Sequence, residues 1–253
     1  IKIAVPYIEK ILKSLNIATV VKEGYEADDI IGTIAKKAKQ KNLKTYMVTP
    51  DKDFAQLVEK DIYMYRPVFG GGYETWGIDE VLKKFEINKT SQVIDFLAMK
   101  GDSVDNIPGL PGVGDKTAKK FISEFGSLEG LFENTDQLKG KIKEKVEQNK
   151  ELGILSKKLA TIITDVPLNF KIEDFKLSVH ELEETKNLFD DLEFRRLSNS
   201  LNSIFSTSQE TIEKKIDSKN NGQFDLFANT EREIISKKNN LIIQKVLDGI
   251  SYK

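Results

Sequence analysis

Between residues 17 and 65 the spacing of apolar residues switches between two periods, and that alternation limits the chain to few folds. Residues 17–21, 44–49 and 62–65 are short apolar runs bounded by breakers such as Gly24 and Pro50, and read as strands. Between the first two, residues 26–41 place Ile30, Ile34, Ala35 and Ala38 on one helical stripe. A short helix is expected around residues 54–58, before the last strand. Strands alternating with helices predict βαβ units, hence an α/β fold with a partial, Rossmann-like and mainly parallel sheet. Residues 4–15 precede this region with a helical pattern of their own, through Ala4, Ile8, Ile11, Leu12 and Leu15.

Past Pro67 the pattern changes. Gly70-Gly71-Gly72 reads as a hairpin or flexible loop, and from Asp79 to about Leu201 nearly everything has helical periodicity. Beyond residue 205 the chain becomes rich in Lys, Asn, Ser and Glu, which predicts a polar linker. The expected division is an α/β part over 1–98, a helical part over 99–205 and a linker over 206–253. The opening IKIAVPYIEK lacks Met and is already helical in pattern, so it reads as the inside of a domain and predicts a fragment.

Composition narrows the chemistry. Without Cys there are no disulfides, thiolate zinc sites or thiol nucleophiles. A single His, His180, argues against His-rich metal sites and Ser-His-Asp triads. No apolar run is long enough for a membrane span and no signal peptide is evident, so the expectation is a soluble, monomeric intracellular protein. The formal net charge of −1 is silent about nucleic acid.

Carboxylates concentrate in three segments. GYEADD carries Glu26, Asp28 and Asp29 at a helix start; TPDKD carries Asp51 and Asp53 after a strand; KGDSVDN carries Asp102 and Asp105 around a helix end. Ligands of open α/β sheets bind at the carboxyl ends of strands, where the first two segments fall. Like charges so close repel unless a cation is shared among them. The matching chemistry is a pair of Mg²⁺ or Mn²⁺ ions on oxygen ligands, able to hydrolyse a phosphodiester without imidazole. The alternative stays open at this point: acids in a first helical turn favour the helix dipole, and Asp-x-Asp is a common polar turn.

Residues 107–126 read IPGLPGVGDKTAKKFISEFG, a Gly-rich turn before a helix with Ala118, Phe121, Ile122 and Phe125 on one face. Gly112, Val113 and Gly114 open backbone N–H groups toward an anion, and Lys116, Thr117, Lys119 and Lys120 surround that helix start. Cations there oppose the dipole, which makes sense beside a bound phosphate. The pattern is that of a sequence-independent clamp on the DNA backbone, or else an ordinary αα-turn with solvated lysines.

GYEADDIIGTIAKKA, TPDKDFAQLV, MKGDSVDNIPGLPGVGDKTAKKFISEFGS and LSKKLATI together resemble the 5′-nuclease domains of bacterial DNA polymerase I, within the flap endonuclease family. The likeness runs in order to about residue 205. It implies a resolvase- or PIN-like domain, a helix–three-turn–helix that grips duplex DNA and holds K⁺, and two Mg²⁺ sites. It further implies hydrolysis of DNA with a 5′ flap, nick or RNA primer, in primer removal and repair. Glu26, Asp28 and Asp29 would then belong to one metal group, and Asp102 and Asp105 to the other. Asp51 would stand between them, and Asp53 on the second side.

The departure is at the front. The family's first strand with its metal-binding Asp, and the cationic helical arch after it, have no counterpart. This chain is therefore expected to bind duplex DNA weakly and to cleave poorly or not at all. Gln223-Phe224-Asp225-Leu226-Phe227 resembles the pentapeptide that docks bacterial proteins on the sliding clamp, with Gln223 setting register and Leu226 and Phe227 filling an apolar pocket. Two other readings remain: a non-catalytic duplex-binding remnant, and a stand-alone flap nuclease.

Overall fold

A computed structural model describes residues 1–177 and 183–201. Two compact units emerge, one from Ile1–Val20 with Phe170–Lys253, the other Val21–Asn169. In the first, helix α1 (Ala4–Ser14) meets α9 (Glu183–Asp191); Thr185 Oγ1 donates to Ser14 Oγ at 2.9 Å and Phe189 is buried. Among the described residues no helix is long and apolar enough to cross a membrane.

The second unit holds a three-stranded sheet and the helices between Ala27 and Ala160 around one core. Helix α2 (Ala27–Gln40) follows the predicted stripe, with Ile30, Ala35 and Ala38 buried and Ile34 half-buried. Strand β1 (Thr45–Val48) pairs in parallel with β2 (Ile62–Pro67), in register Thr45 to Ile62. Between them the 3-10 turn Lys52–Leu57 buries Phe54, Ala55 and Leu57. The positive-φ glycines Gly70, Gly71 and Gly72 turn the chain into β3 (Tyr73–Trp76), antiparallel to β2. The sheet is therefore mixed, not mainly parallel: a three-glycine loop returns the chain along the neighbouring edge, as only antiparallel pairing permits.

The strand expected over residues 17–21 is not formed. The segment is irregular, with Ile17 and Val21 exposed, because no described strand offers it a ladder.

From Ile78 to Ala160 the chain is mainly helical, as expected: α3 (Ile78–Phe85), α4 (Gln92–Lys100), α5 (Asp115–Phe125), α6 (Leu128–Glu133), α7 (Gly140–Gln148) and α8 (Lys150–Ala160). Residues 161–171, expected to be helical as well, are irregular, because their backbone donors go to distant side chains: Ile162 N to Gln56, Ile163 N to Asp29 and Val166 N to Thr33. Helix α4 is the pillar. Val93, Phe96, Leu97, Ala98 and Met99 are all buried, and α4 packs on α8, α5 and the 3-10 turn. Each such side chain contributes roughly 1.5–3 kcal/mol of burial. Asp95, also buried, accepts from Leu128 N at 3.1 Å and Lys157 Nζ at 2.6 Å, tying α4, α6 and α8.

Candidate metal and nucleic-acid site

The three acidic segments meet because each is fixed by a different backbone device. Asp51 caps the 3-10 turn, its Oδ1 accepting from Asp53 N at 2.9 Å, so the two carboxylates leave the end of β1 together. Glu26 precedes α2 in extended conformation, and Asp29 Oδ2 accepts from Glu26 N at 3.3 Å. Asp102 and Asp105 lie in the loop after α4, closed by paired bonds between Asp102 and Ile107 at 2.9 and 2.8 Å. That loop needs two glycines. A Cβ on Gly109 (φ +67°) would sit 2.5 Å from Gly101 N, and one on Gly101 (φ +77°) 2.7 Å from Ile107 O.

Distant residues brace this arrangement. Gln56 Nε2 donates to Ala160 O at 2.9 Å, Gln56 Oε1 accepts from Ile162 N at 3.0 Å, and Asp29 Oδ1 accepts from Ile163 N at 2.8 Å. The stretch after α8 is thereby laced to the starts of α2 and the 3-10 turn. Asp29 consequently spends both oxygens on backbone donors, while Glu26 and Asp105 are exposed.

Electrostatics distinguish the members. Asp53 is buried at 8% exposure, and its Oδ1 has no hydrogen-bond partner. Burial, with Asp51 next in weight, pushes its carboxyl up to about 6. Asp28 is raised by burial and then by Asp51, Glu26, Asp29 and Asp105. Asp102 is lowered by its bond from Lys52 Nζ, 2.6 Å from Oδ2, and by Val104 N, 2.9 Å from Oδ1. Lys52 is raised in turn: burial, the largest single influence, opposes its charge, but the bond to Asp102 and the charges of Asp102, Asp53 and Asp51 together outweigh it.

The segments are thus neighbours at Coulomb range, and Lys52 is the local counter-charge. Among the described residues no three carboxylates close on one point tightly enough to hold an ion as they stand. The donors nevertheless fit a hard divalent cation. They are all oxygen, they repel one another, and one buried oxygen is without a partner.

In the glycine turn, Gly112 (φ +85°) and buried Val113 lead to Gly114, which precedes α5 in extended conformation. Gly114 has no side-chain oxygen to cap the first α5 N–H groups. Lys116 is exposed with no described partner, and Thr117 is half-buried beside it. Lys119 is committed to Glu86 at 2.9 Å and Asp115 at 3.0 Å, and Lys120 lies 3.7 Å from Glu124. Sequence reasoning missed Lys145 of α7, whose Nζ lies 2.9 Å from where a Gly112 Cβ would be. Its place in the basic run KGKIKEK was the only available signal. Gln223, Leu226 and Phe227, like His180, lie outside the described residues.

Comparison with known proteins agrees along the chain. Residues 1–86 match the family model of the 5′-3′ exonuclease N-terminal resolvase-like domain, and residues 88–183 that of the 5′-3′ exonuclease C-terminal SAM fold. A 5′-3′ exonuclease of Aquifex aeolicus is 33% identical over 210 residues, covering 83% of this chain and 70% of that protein. DNA polymerase I of Caldicellulosiruptor bescii is 34% identical over 220 residues, covering 86% of this chain. The chain spans only 26% of that polymerase's length. Among solved structures, a bacteriophage T5 D15 flap endonuclease complex with DNA and metal ions superposes with a TM-score of 0.52 at 22% identity. The match covers 69% of this chain and 61% of that one. The catalytic core of Rad2 in complex with DNA substrate gives 0.52 at 19%, covering 74% and 63%. At those identities the two structures speak for the fold.

Proposed function

The chain belongs to the 5′-3′ exonuclease family, and from that premise we propose that it is the nuclease portion of a 5′-3′ exonuclease or flap endonuclease. Its substrate in this reading is duplex DNA with a 5′ flap, nick or RNA primer, and its reaction the hydrolysis of a phosphodiester. The observation that carries the proposal is Asp53: a buried carboxylate with an unpartnered oxygen, amid carboxylates from three segments.

Glu26, Asp28, Asp51, Asp53, Asp102 and Asp105 would hold Mg²⁺ or Mn²⁺, while Asp29, whose two oxygens accept from Glu26 N and Ile163 N, would fix the start of α2 beside them. Bound there, the cation supplies Lewis acidity toward the phosphate and lowers the pKa of a water. The protein's own part is positional. The 3-10 turn sets Asp51 and Asp53 relative to each other, and the Gly101–Gly109 contact fixes the loop bearing Asp102 and Asp105. Preorganised carboxylates of this kind need not rearrange when substrate arrives.

The glycine turn grips the duplex backbone at a distance from the cut. Exposed Lys116 and Lys120 contribute charge, the N–H groups of Gly112 and of Gly114 to Thr117 provide donors while Val113 N is bonded to Leu110 O, and K⁺ is the ion this turn would take. Lys119 acts through its ties to Glu86 and Asp115, holding the helix start in place. Within residues 21–98 lie the acids of the first two segments, and within 99–169 the loop of Asp102 and Asp105 and the glycine turn; the linker expected over 206–253 lies outside the described residues.

The test is Mg²⁺-dependent cleavage of a 5′-flap duplex by the chain, abolished by Asp102→Ala. Salt-sensitive duplex binding with no turnover under any divalent ion would reduce the function to the clamp alone.

A further inference from the structure

Lys52 is a charged residue bonded within the acidic rim to which the proposed reaction gives no role. It stands between Asp51 and Asp53 in the chain, so the turn that places those carboxylates also sets where its stem begins. Its ammonium reaches across to Asp102 Oδ2 at 2.6 Å, and the Asp102 side chain is only 9% exposed. Asp53 Oδ1 meanwhile stays without a partner. The ammonium thus ties the turn that carries Asp51 and Asp53 to the loop that carries Asp102. Lys52 and Asp102 line a cavity of about 750 Å³, which Lys100 and Asn106 also line.

Building on the metal-site reading, we infer that Lys52 is an exchangeable internal cation, which holds Asp102 in the metal-free protein and is displaced by a divalent ion into the adjoining cavity, where it meets a nucleic-acid phosphate. The exchange follows from charge. A divalent ion and an ammonium on the same carboxylate repel each other strongly in a partly desolvated site. The lysine, a point charge on a flexible four-carbon stem, is the partner able to move. It moves toward a wall already bearing Lys100, so two ammonium groups then face an anion beside the rim. Lys52 is in this sense a positioning residue: it keeps the carboxylates in place without metal and meets the substrate once metal is present.

The test is a Mn²⁺ titration of the full chain followed by electron paramagnetic resonance, without DNA. Lys52→Met keeps the stem and removes the charge, and is expected to bind Mn²⁺ roughly three- to tenfold more tightly. Lys52→Arg keeps the pairing and should stay within about twofold of the parent. With Ca²⁺ present, Lys52→Met should bind a flap duplex several-fold more weakly than the parent, and with chelator the difference should vanish. Unchanged or weaker Mn²⁺ affinity in a Lys52→Met protein with native circular dichroism overturns the exchange and leaves the metal site standing. No Mn²⁺ binding by the parent chain, even at millimolar ion, overturns both.

Discussion

Asp53 and Asp95 are buried to nearly the same degree, at 8% and 7% exposure, yet they are opposite kinds of residue. Asp95 is answered by a donor and a cation: Leu128 N and Lys157 Nζ both donate to its Oδ1, and Lys157 bridges it to Glu129 at 2.7 Å. Asp53 keeps one oxygen without a partner, and its nearest charged neighbour of influence is another carboxylate. Burial alone therefore does not mark a functional acid. An answered buried charge organises the core, whereas an unanswered one is a standing cost that a ligand can remove.

The contrast can be broken at either end. Asp53→Asn is expected to lower Mg²⁺-dependent flap cleavage by about a thousandfold, since preorganised charge at the reacting centre is lost. The same change should leave the urea midpoint of the metal-free protein equal or higher, because repulsion goes with it; a fall would make Asp53 a structural acid like Asp95. Lys157→Met is the converse. It strands Asp95 and should cost about 3 kcal/mol of stability, read by denaturant unfolding, while duplex cleavage per folded molecule stays intact.

A smaller effect sharpens the comparison through pH. The native carboxyl of Asp53 sits near 6, above the ordinary range, so between about pH 4 and 6 the native state holds a proton that the unfolded chain has lost. Stability of the metal-free protein should accordingly decline as pH rises through that window, with Asp28 acting in the same direction. Asp102, held low by Lys52, works oppositely: its contribution is present above the ordinary carboxylate range and is lost on further acidification. Divalent ions compete with the proton on Asp53, so Mn²⁺ affinity should rise across the interval in which metal-free stability falls. Unfolding midpoints at pH 5 and 7, with chelator and with Mg²⁺, measure both slopes. Equal slopes in Asp53→Asn and the parent would sink the assignment.

The smallest prediction carries the contrast over to cations. Lys116 is exposed and has no partner among the described residues, where Lys157 is spoken for. Lys116→Ala should reduce the slope of log affinity for duplex against log salt by about one, measured by fluorescence anisotropy, with stability unchanged. An unchanged slope removes Lys116 from the clamp.

Much of this was legible before any coordinates. Local periodicity located α2, β1, β2 and α5 to within a few residues, because those segments carry their own stripes and breakers. The acidic segments were visible as three clusters without an evident structural demand. What escaped was long-range. A strand at residues 17–21 had the right composition but no ladder to join, and β3 was hidden in an exposed stretch with one buried residue, Trp76. The lacing of Gln56 and Asp29 to residues 160–163 links positions more than a hundred residues apart, and no local pattern encodes such a bond.

By itself, then, the sequence determined the chemistry on offer: oxygen donors in three places, no thiol, a single imidazole, and a glycine turn followed by lysines. It also determined the elements that carry them, since helix stripes and strand ends are properties of neighbouring residues. Only the tertiary structure decided which carboxylates are free to act. Asp29 is spent on backbone donors, Asp102 is held by Lys52, and Asp53 is left with an open oxygen. The reason is physical: the state of a carboxylate depends on its desolvation and on charges within a few ångströms, and those neighbours are supplied by folding, not by chain order.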